Sequence, residues 1–523
     1  MKLILVLCIA ALSGTRANLL RPLYPRLDPY VVQPLDYADE RPQHHRRTDK
    51  SKEFTYEDNS SDFPTYPVGS WMAPTFSKTV QVDRNPMYGD AASWRGVHIA
   101  VSKSPAITKQ QIARVYSDAF DTIKHISEED KRNFHKQYEI TAQTESEETH
   151  LNATELLRSH EYTVEEHVVR TDDGYELTMF RVLPKEKSNV VSKRPIVFLM
   201  HGLLGSADDW LLMGPHKSLA YMLSDAGFEV WLGNARGSKY SRKHVSKHPA
   251  QDDFWSYSID EVALHDLPAM IDYVLRTSEH ENLYYVGHSQ GNTAIFALTA
   301  ARPEYNDKIV MMHALSPMVY MSRVRSPLLR MLTPNSPFYK QLKDHIGEGE
   351  MKFNKELVHT VGGSMCENEI GCKYLCSNPN FIVTGMDPTN MEIDLIPVIL
   401  GHSQPGVSTR QIQHYAQTAA SDEFRKYNHG VDVNKAVYGS EIPPKYNMSN
   451  VKVPVVLYYS DEDWLAHPVD VERLRQELPN VKESYRIPEE HFSNMDFQFS
   501  TKSSKTVYPK VLESIKNHHE MQY

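Results

Sequence analysis

Leu283-Tyr284-Tyr285-Val286-Gly287-His288-Ser289-Gln290-Gly291-Asn292-Thr293-Ala294-Ile295-Phe296-Ala297-Leu298 passes from an apolar stretch, through Gly-His-Ser-Gln-Gly, into a small-residue apolar stretch with helical spacing. Its opening residues read as a short buried strand and its closing residues as a buried helix, so the pentapeptide occupies the bend between them. At such a bend the serine backbone is forced into a strained turn and the hydroxyl points outward. Gly287 and Gly291 remove side chains that would strike the neighbouring strand and helix. The pentapeptide alone is common by chance; between a strand and a helix it predicts that Ser289 is a nucleophile.

The flanking sequence supplies the sheet. Tyr162 to Val169 and Glu176 to Leu183 alternate as two strands around a turn at Asp172-Asp173-Gly174. Pro195-Ile196-Val197-Phe198-Leu199-Met200 is a continuous apolar strand ending in His201-Gly202-Leu203-Leu204-Gly205. Helical spacing from Ser218 to Ala226, a strand from Glu229 to Leu232, and a helix near Asp260 to Leu275 lead back to the Ser289 strand. Strands that alternate with helices predict an α/β fold whose mostly parallel sheet is covered on both faces. The rhythm stops after a strand over Ile309 to Ala314 and resumes at Val453 to Tyr459, with a last helix near Val507 to Lys516. The expected organisation is a core over residues 156–321 and 445–523, interrupted by a Met-, Pro- and Gly-richer cap or lid over 322–444.

Ahead of the core, Met1 to Ala17 has a lysine, an apolar run and small residues before a cleavage point, the pattern of a secretory signal peptide. Residues 18–155 form a hydrophilic extension that buries too little apolar surface to offset its ordering entropy. Within it, Ile112, Val115, Tyr116, Phe120, Ile123 and Ile126 recur at the spacing of one amphipathic helix. Later apolar runs are too short to span a membrane. A net charge of −10 argues against a nucleic-acid partner, and the 25 histidines would make the chain cationic at mildly acidic pH. Asn59, Asn152 and Asn447 head N-glycan acceptor triplets. Once the signal leaves, Cys366, Cys372 and Cys376 remain, enough for one local disulfide and one leftover thiol. No metal is expected, because no Cys or His pair at ligand spacing supplies a fourth position, and no cofactor is implied.

Three parts then align in chain order: Ser289 at its bend, the His201-Gly202-Leu203 loop, and Asp461-Glu462-Asp463 after a later strand. With Asp172-Asp173-Gly174-Tyr175, Val230-Trp231-Leu232-Gly233-Asn234-Ala235-Arg236-Gly237 and Asp266-Leu267-Pro268-Ala269, the chain from about Tyr162 onward resembles the acid lipase family. That family comprises gastric and lysosomal lipases and their insect members. The resemblance implies an α/β-hydrolase fold, Ser289 as nucleophile, and the amides of Leu203 and Gln290 as oxyanion hole. In Asp463-Trp464-Leu465-Ala466-His467-Pro468 it makes Asp463 the acid and leaves Asp461 as a loop carboxylate. It also implies a cap disulfide at Cys376, with Cys366 favoured over Cys372 as the partner.

At the histidine the chain departs from its family. In His491-Phe492-Ser493-Asn494-Met495-Asp496-Phe497, the residue aligned with the catalytic histidine is Asn494. An amide nitrogen has no basic lone pair, so it cannot take the serine proton. Loss of a triad member costs on the order of 10⁴ to 10⁶ in turnover. His491 is the candidate replacement, because residues three apart share a face in a helical turn; His467 is a weaker one. Two functions follow. One is a secreted serine ester hydrolase acting on triacylglycerol or sterol ester at a lipid–water interface. The other is an inactive, lipase-like storage or lipid-binding protein, similar to the lipase-like egg-specific and yolk proteins of moths.

Overall fold

The computed structural model describes residue 129 and residues 146–184, 194–334, 336, 339, 347–351, 383–385, 390–402 and 406–522. The signal segment, the helix expected over Ile112 to Ile126, Asn59 and all three remaining cysteines lie outside them.

Among the described residues the sheet has nine strands: β1 (Val164–Arg170), β2 (Tyr175–Val182), β3 (Ile196–Met200), β4 (Glu229–Gly233), β5 (Lys243–His244), β6 (Leu283–His288), β7 (Ile309–Leu315), β8 (Val455–Tyr459) and β9 (Val481–Arg486). Their order is β1-β2-β4-β3-β6-β7-β8-β9, with β5 paired to β2. β4 through β9 on this path are parallel, while β1 and β2 are antiparallel to their neighbours. Adjacent residues of β3 serve opposite faces. Val197 and Leu199 join Val230 and Val286 on one side, and Phe198 and Met200 join Trp231 and Tyr285 on the other. A strand buried on both sides must be apolar throughout, which is why β3 carries no polar side chain.

One face is covered by α1 (Ala153–Ser159), α2 (Leu219–Asp225) and the terminal helix, the other by α3 (Leu267–Ser278), α4 (Gln290–Ala301) and α5 (Pro468–Glu477). Ala153, Leu156 and Leu157 are buried with this first face, so the boundary expected at 155/156 falls inside a packed helix. The helix expected near Asp260 to Leu275 is interrupted by a π turn over Val262–Asp266, ahead of α3. Within the interval expected as a cap, the described residues include helices over Ile396–His402 and Thr409–Ser421. The first is tied to the core by a buried cluster: Asp208 accepts from Lys239 at 2.7 Å, from Tyr240 at 2.7 Å and from His402 Nδ1 at 2.8 Å. His402 Nε2 in turn lies 2.8 Å from the Glu148 carbonyl. A third apolar cluster, including Leu203, Met318, Ile412, Tyr415 and Trp464, joins loops that follow β3, β7 and β8 to the helix over Thr409–Ser421. Among the described residues no helix is long and apolar enough to cross a membrane.

Candidate active site

The parallel strands bring their carboxyl ends to one edge, and the bend between β6 and α4 stands in the middle of it. Ser289 occupies that bend with φ 51° and ψ −112°, a conformation that L-residues avoid and that turns the side chain out of the sheet. Two close approaches fix the surroundings. A Cβ on Gly291 would sit 2.5 Å from the Met200 carbonyl oxygen, so α4 can leave β6 only beside β3 if residue 291 lacks a side chain. A Cβ on Gly202 would sit 3.2 Å from Ser289 Cβ, which places the loop after β3 directly against the serine. Gln290 is the first residue of α4, so its amide has no acceptor within the helix. His201 holds the loop from beneath. Its Nδ1–H donates to the Gly202 carbonyl at 2.7 Å, and Nε2 accepts from the Ala235 amide at 3.1 Å. Burial pushes this imidazole down to about 4, so it stays neutral.

What surrounds the hydroxyl decides the chemistry. Ser289 Oγ donates to Met318 Sδ at 2.8 Å and accepts from Asn494 Nδ2 at 3.4 Å. Asn494 Nδ2 also donates to Ser316 Oγ at 2.5 Å, and Ser316 Oγ donates to Asp463 Oδ2 at 2.5 Å. The other carboxylate oxygen accepts from the Leu465 amide at 2.8 Å and the Ala466 amide at 3.0 Å. Burial pushes the Asp463 carboxyl up, and the donors from Ser316, Leu465, Ala466 and Asn494 pull it back. Serine, asparagine, second serine and aspartate thus form a buried chain in which the proton donors face the carboxylate. At the point where a base would accept the Ser289 proton, the chain presents an N–H.

Comparison with known proteins agrees with this framework. Residues 153–214 match the family described as a partial alpha/beta-hydrolase lipase region, and residues 195–342 match the alpha/beta hydrolase fold. Lipase 3 of Drosophila melanogaster is 40% identical over 364 residues, covering 70% of this chain and 92% of that protein. The gastric triacylglycerol lipase of Mus musculus is 35% identical, covering 70% and 91% respectively. The lysosomal acid lipase/cholesteryl ester hydrolase of Macaca fascicularis is 33% identical, covering 71% and 92%. The chain belongs to the acid lipase family.

Against that family's expected site, the structure brings together Ser289, Leu203, Gln290, Asp463 and Asn494, and leaves His491 out. The expectation that His491 could turn toward Ser289 rested on a helical turn over 491–494; the helix there spans Asp496–Phe499 instead. His491 has a left-handed backbone (φ 56°) and lines an open groove of about 420 Å³ with Asp461, Glu462, Arg486 and Pro488. Beyond it the chain dives inward. Phe492 is fully buried against Phe497 with ring centroids 4.9 Å apart, and Ser493 donates to Asp496 Oδ2 from its amide at 2.6 Å and its hydroxyl at 2.7 Å. That anchorage delivers residue 494, not residue 491, to the serine. His467 is spent on the N-terminus of α5, where Nδ1 accepts from the Val469 amide at 3.2 Å. Asp461 pairs with Arg486 at the surface, as a loop carboxylate would. His288 Nε2–H donates to the Asn494 carbonyl at 2.9 Å, clamping the loop from behind.

Ser316 and Met318 are the residues that sequence reading missed in this acid lipase relative. Their one signal was position: they follow β7, and the carboxyl ends of parallel strands are where α/β sheets bind ligands. Elsewhere, Asp172, Asp173 and His265 bring three donor atoms within 4.8 Å of one another. Asp173 is already held by Arg236 and Asp172 by His265, so the group is satisfied without an ion.

Proposed function

We propose that this protein is an acid lipase relative that binds a neutral lipid ester at the Ser289 site and has lost the ability to turn it over. The observation that carries this reading is the hydrogen bonding of Ser289: its own proton lies on the Met318 sulfur, and an Asn494 N–H points at its oxygen. Catalysis by such a serine requires a base that removes the proton during attack on the carbonyl. Neither thioether nor amide is basic enough. The binding half of the site is intact in form. The elbow and the loop after β3 stand against one another at the serine, and the side chains packed over them are apolar, as contact with an acyl chain would require. Storage or transport of ester then fits better than digestion.

The test compares the mature protein with Ser289→Ala on p-nitrophenyl butyrate and on dispersed trioleoylglycerol, across the acid to neutral range. The two proteins should hydrolyse each ester at rates within about twofold of one another, the residue being ordinary background. Ser289-dependent turnover in the unmodified protein would reject the reading in favour of a working ester hydrolase.

Passage through the secretory route belongs to the same proposal, supported by the Met1 to Ala17 segment. Two acceptor asparagines are exposed at the N-caps of short helices. Asn152 caps α1 through its oxygen, leaving its nitrogen outward, and Asn447 Oδ1 accepts from Ser449 Oγ at 2.8 Å. Protein from an insect-cell supernatant should lose apparent mass on N-glycosidase treatment, and Asn152→Gln with Asn447→Gln should reduce that loss. A digest without any shift would remove the glycans from the account.

A further inference from the structure

Ser316 stands at the end of β7 in a left-handed conformation (φ 52°), fully buried, with its amide donating to the Tyr458 carbonyl at 2.9 Å. Its hydroxyl is held between Asp463 Oδ2 and Asn494 Nδ2, 2.5 Å from each. That hydroxyl has one proton, and the carboxylate takes it. Its lone pairs therefore face Asn494 and demand the amide's N–H₂ side. Rotating the Asn494 amide to offer its oxygen to Ser289 would set that oxygen against the Ser316 lone pairs and beside a buried carboxylate.

We infer that Ser316 is the positioning residue that holds the site in its inactive polarity, acting through both Asn494 and Asp463. It orients the amide as a donor toward Ser289, and it occupies the Asp463 oxygen that would orient an imidazole. The missing histidine is thus only half of the change. A base restored at position 494 would have to compete with this hydroxyl for the carboxylate, which the residue 494 side chain also reaches, and the carboxylate's role in such a triad is to fix the tautomer and stabilise the imidazolium. This inference rests on the reading that turnover is lost at position 494, and the experiment separates the two.

Four full-length proteins are compared on p-nitrophenyl butyrate: unmodified, Ser316→Ala, Asn494→His, and Asn494→His with Ser316→Ala. The unmodified protein and Ser316→Ala should be inactive, since neither has a base. Asn494→His should gain little, and the double variant should exceed it by at least about 10-fold in kcat with KM nearly unchanged. A structural effect would not produce the second readout. The double variant alone should show a strongly deshielded imidazole N–H proton in its NMR spectrum, the mark of a histidine held by a carboxylate. It alone should also show a rate that rises with pH through a histidine titration. Equal turnover in the two histidine variants, whether high or absent, overturns the role given to Ser316. Ser289-dependent turnover in the unmodified protein overturns instead the reading on which it stands.

Discussion

Stability should fall steeply as the pH is lowered from 6.5 toward 4, because His201, His288 and His313 are buried as neutral imidazoles. Burial pushes His201 and His288 down to about 4 and His313 down to about 3, against 6.5 for each in the unfolded chain. The folded values lie below the unfolded one, so the unfolded chain binds more protons throughout this window. The stability tied to these groups is present in full above pH 6.5 and is lost as the pH falls toward the folded values. Each contributes a slope of roughly 1.4 kcal/mol per pH unit, so three give about 4 kcal/mol per unit near the middle, offset in part by buried Asp209, which burial pushes up to about 8 and which opposes one of them in this window. All three are at most 4% exposed, which leaves little solvent screening to discount. Thermal melts across a pH series measure this directly. His313→Leu should flatten the slope by roughly 1.4 kcal/mol per pH unit even if it lowers the melting temperature everywhere. A melting temperature constant between pH 6.5 and 4.5 would mean that these imidazoles accept protons without unfolding.

Two of those histidines are also parts of the site, which shows how much of it local sequence can disclose. The fold was legible because the decisive elements are buried on both sides. β3 is apolar throughout and β4 and β6 carry the apolar runs Val230–Leu232 and Leu283–Val286, and such runs next to glycine-rich loops leave few alternatives. β9 was not legible: it lies at the sheet edge with mostly exposed or half-buried residues, so no apolar pattern marks it. Within the site, Ser289, Gln290 and Leu203 were legible because close approach dictates glycines beside them. Asn494 could be read only by setting Met495-Asp496-Phe497 against the family pattern, and the structure puts it at the serine. Ser316 and Met318 were not legible. Their roles come from contacts with residues 463, 494 and 289, across separations that no local periodicity encodes. His491 misled because three-residue spacing has meaning only inside a helix.

Several of the site's elements share supports, so its geometry is tied to the stability of the loop after β4. Ala235 donates to His201, which props the Gly202 carbonyl, and the next residue is Arg236. Arg236 is 1% exposed and forks between two carboxylates. Its terminal nitrogens reach Asp173 at 2.6 and 2.9 Å, and Nε reaches Asp266 at 2.8 Å. The guanidinium lies 4.1 Å over the Tyr175 ring. The paired carboxylates hold Arg236 firmly charged despite its burial, raising it further above its ordinary value.

Replacing Arg236 with methionine should therefore destabilise the protein by about 3–5 kcal/mol, chiefly because Asp266 would be left as a buried charge with only the residue 236 amide to meet it. Asp173, about one third exposed, can turn to water and should add little. The cost should be recovered in part by Asp266→Asn in the same background, which removes the stranded charge and keeps an acceptor for that amide. Arg236→Lys should cost less, since it keeps the charge while losing the fork. Urea unfolding at neutral pH reads all three through the midpoint, provided the slope is unchanged. An Arg236→Met loss below about 1 kcal/mol would show that the ion pair yields no more than its desolvation takes away. A loss in the expected range without rescue by Asp266→Asn would place the effect in the ring contact and the packing of the loop. In that case Tyr175, not the carboxylates, would be what keeps the loop under His201 in place.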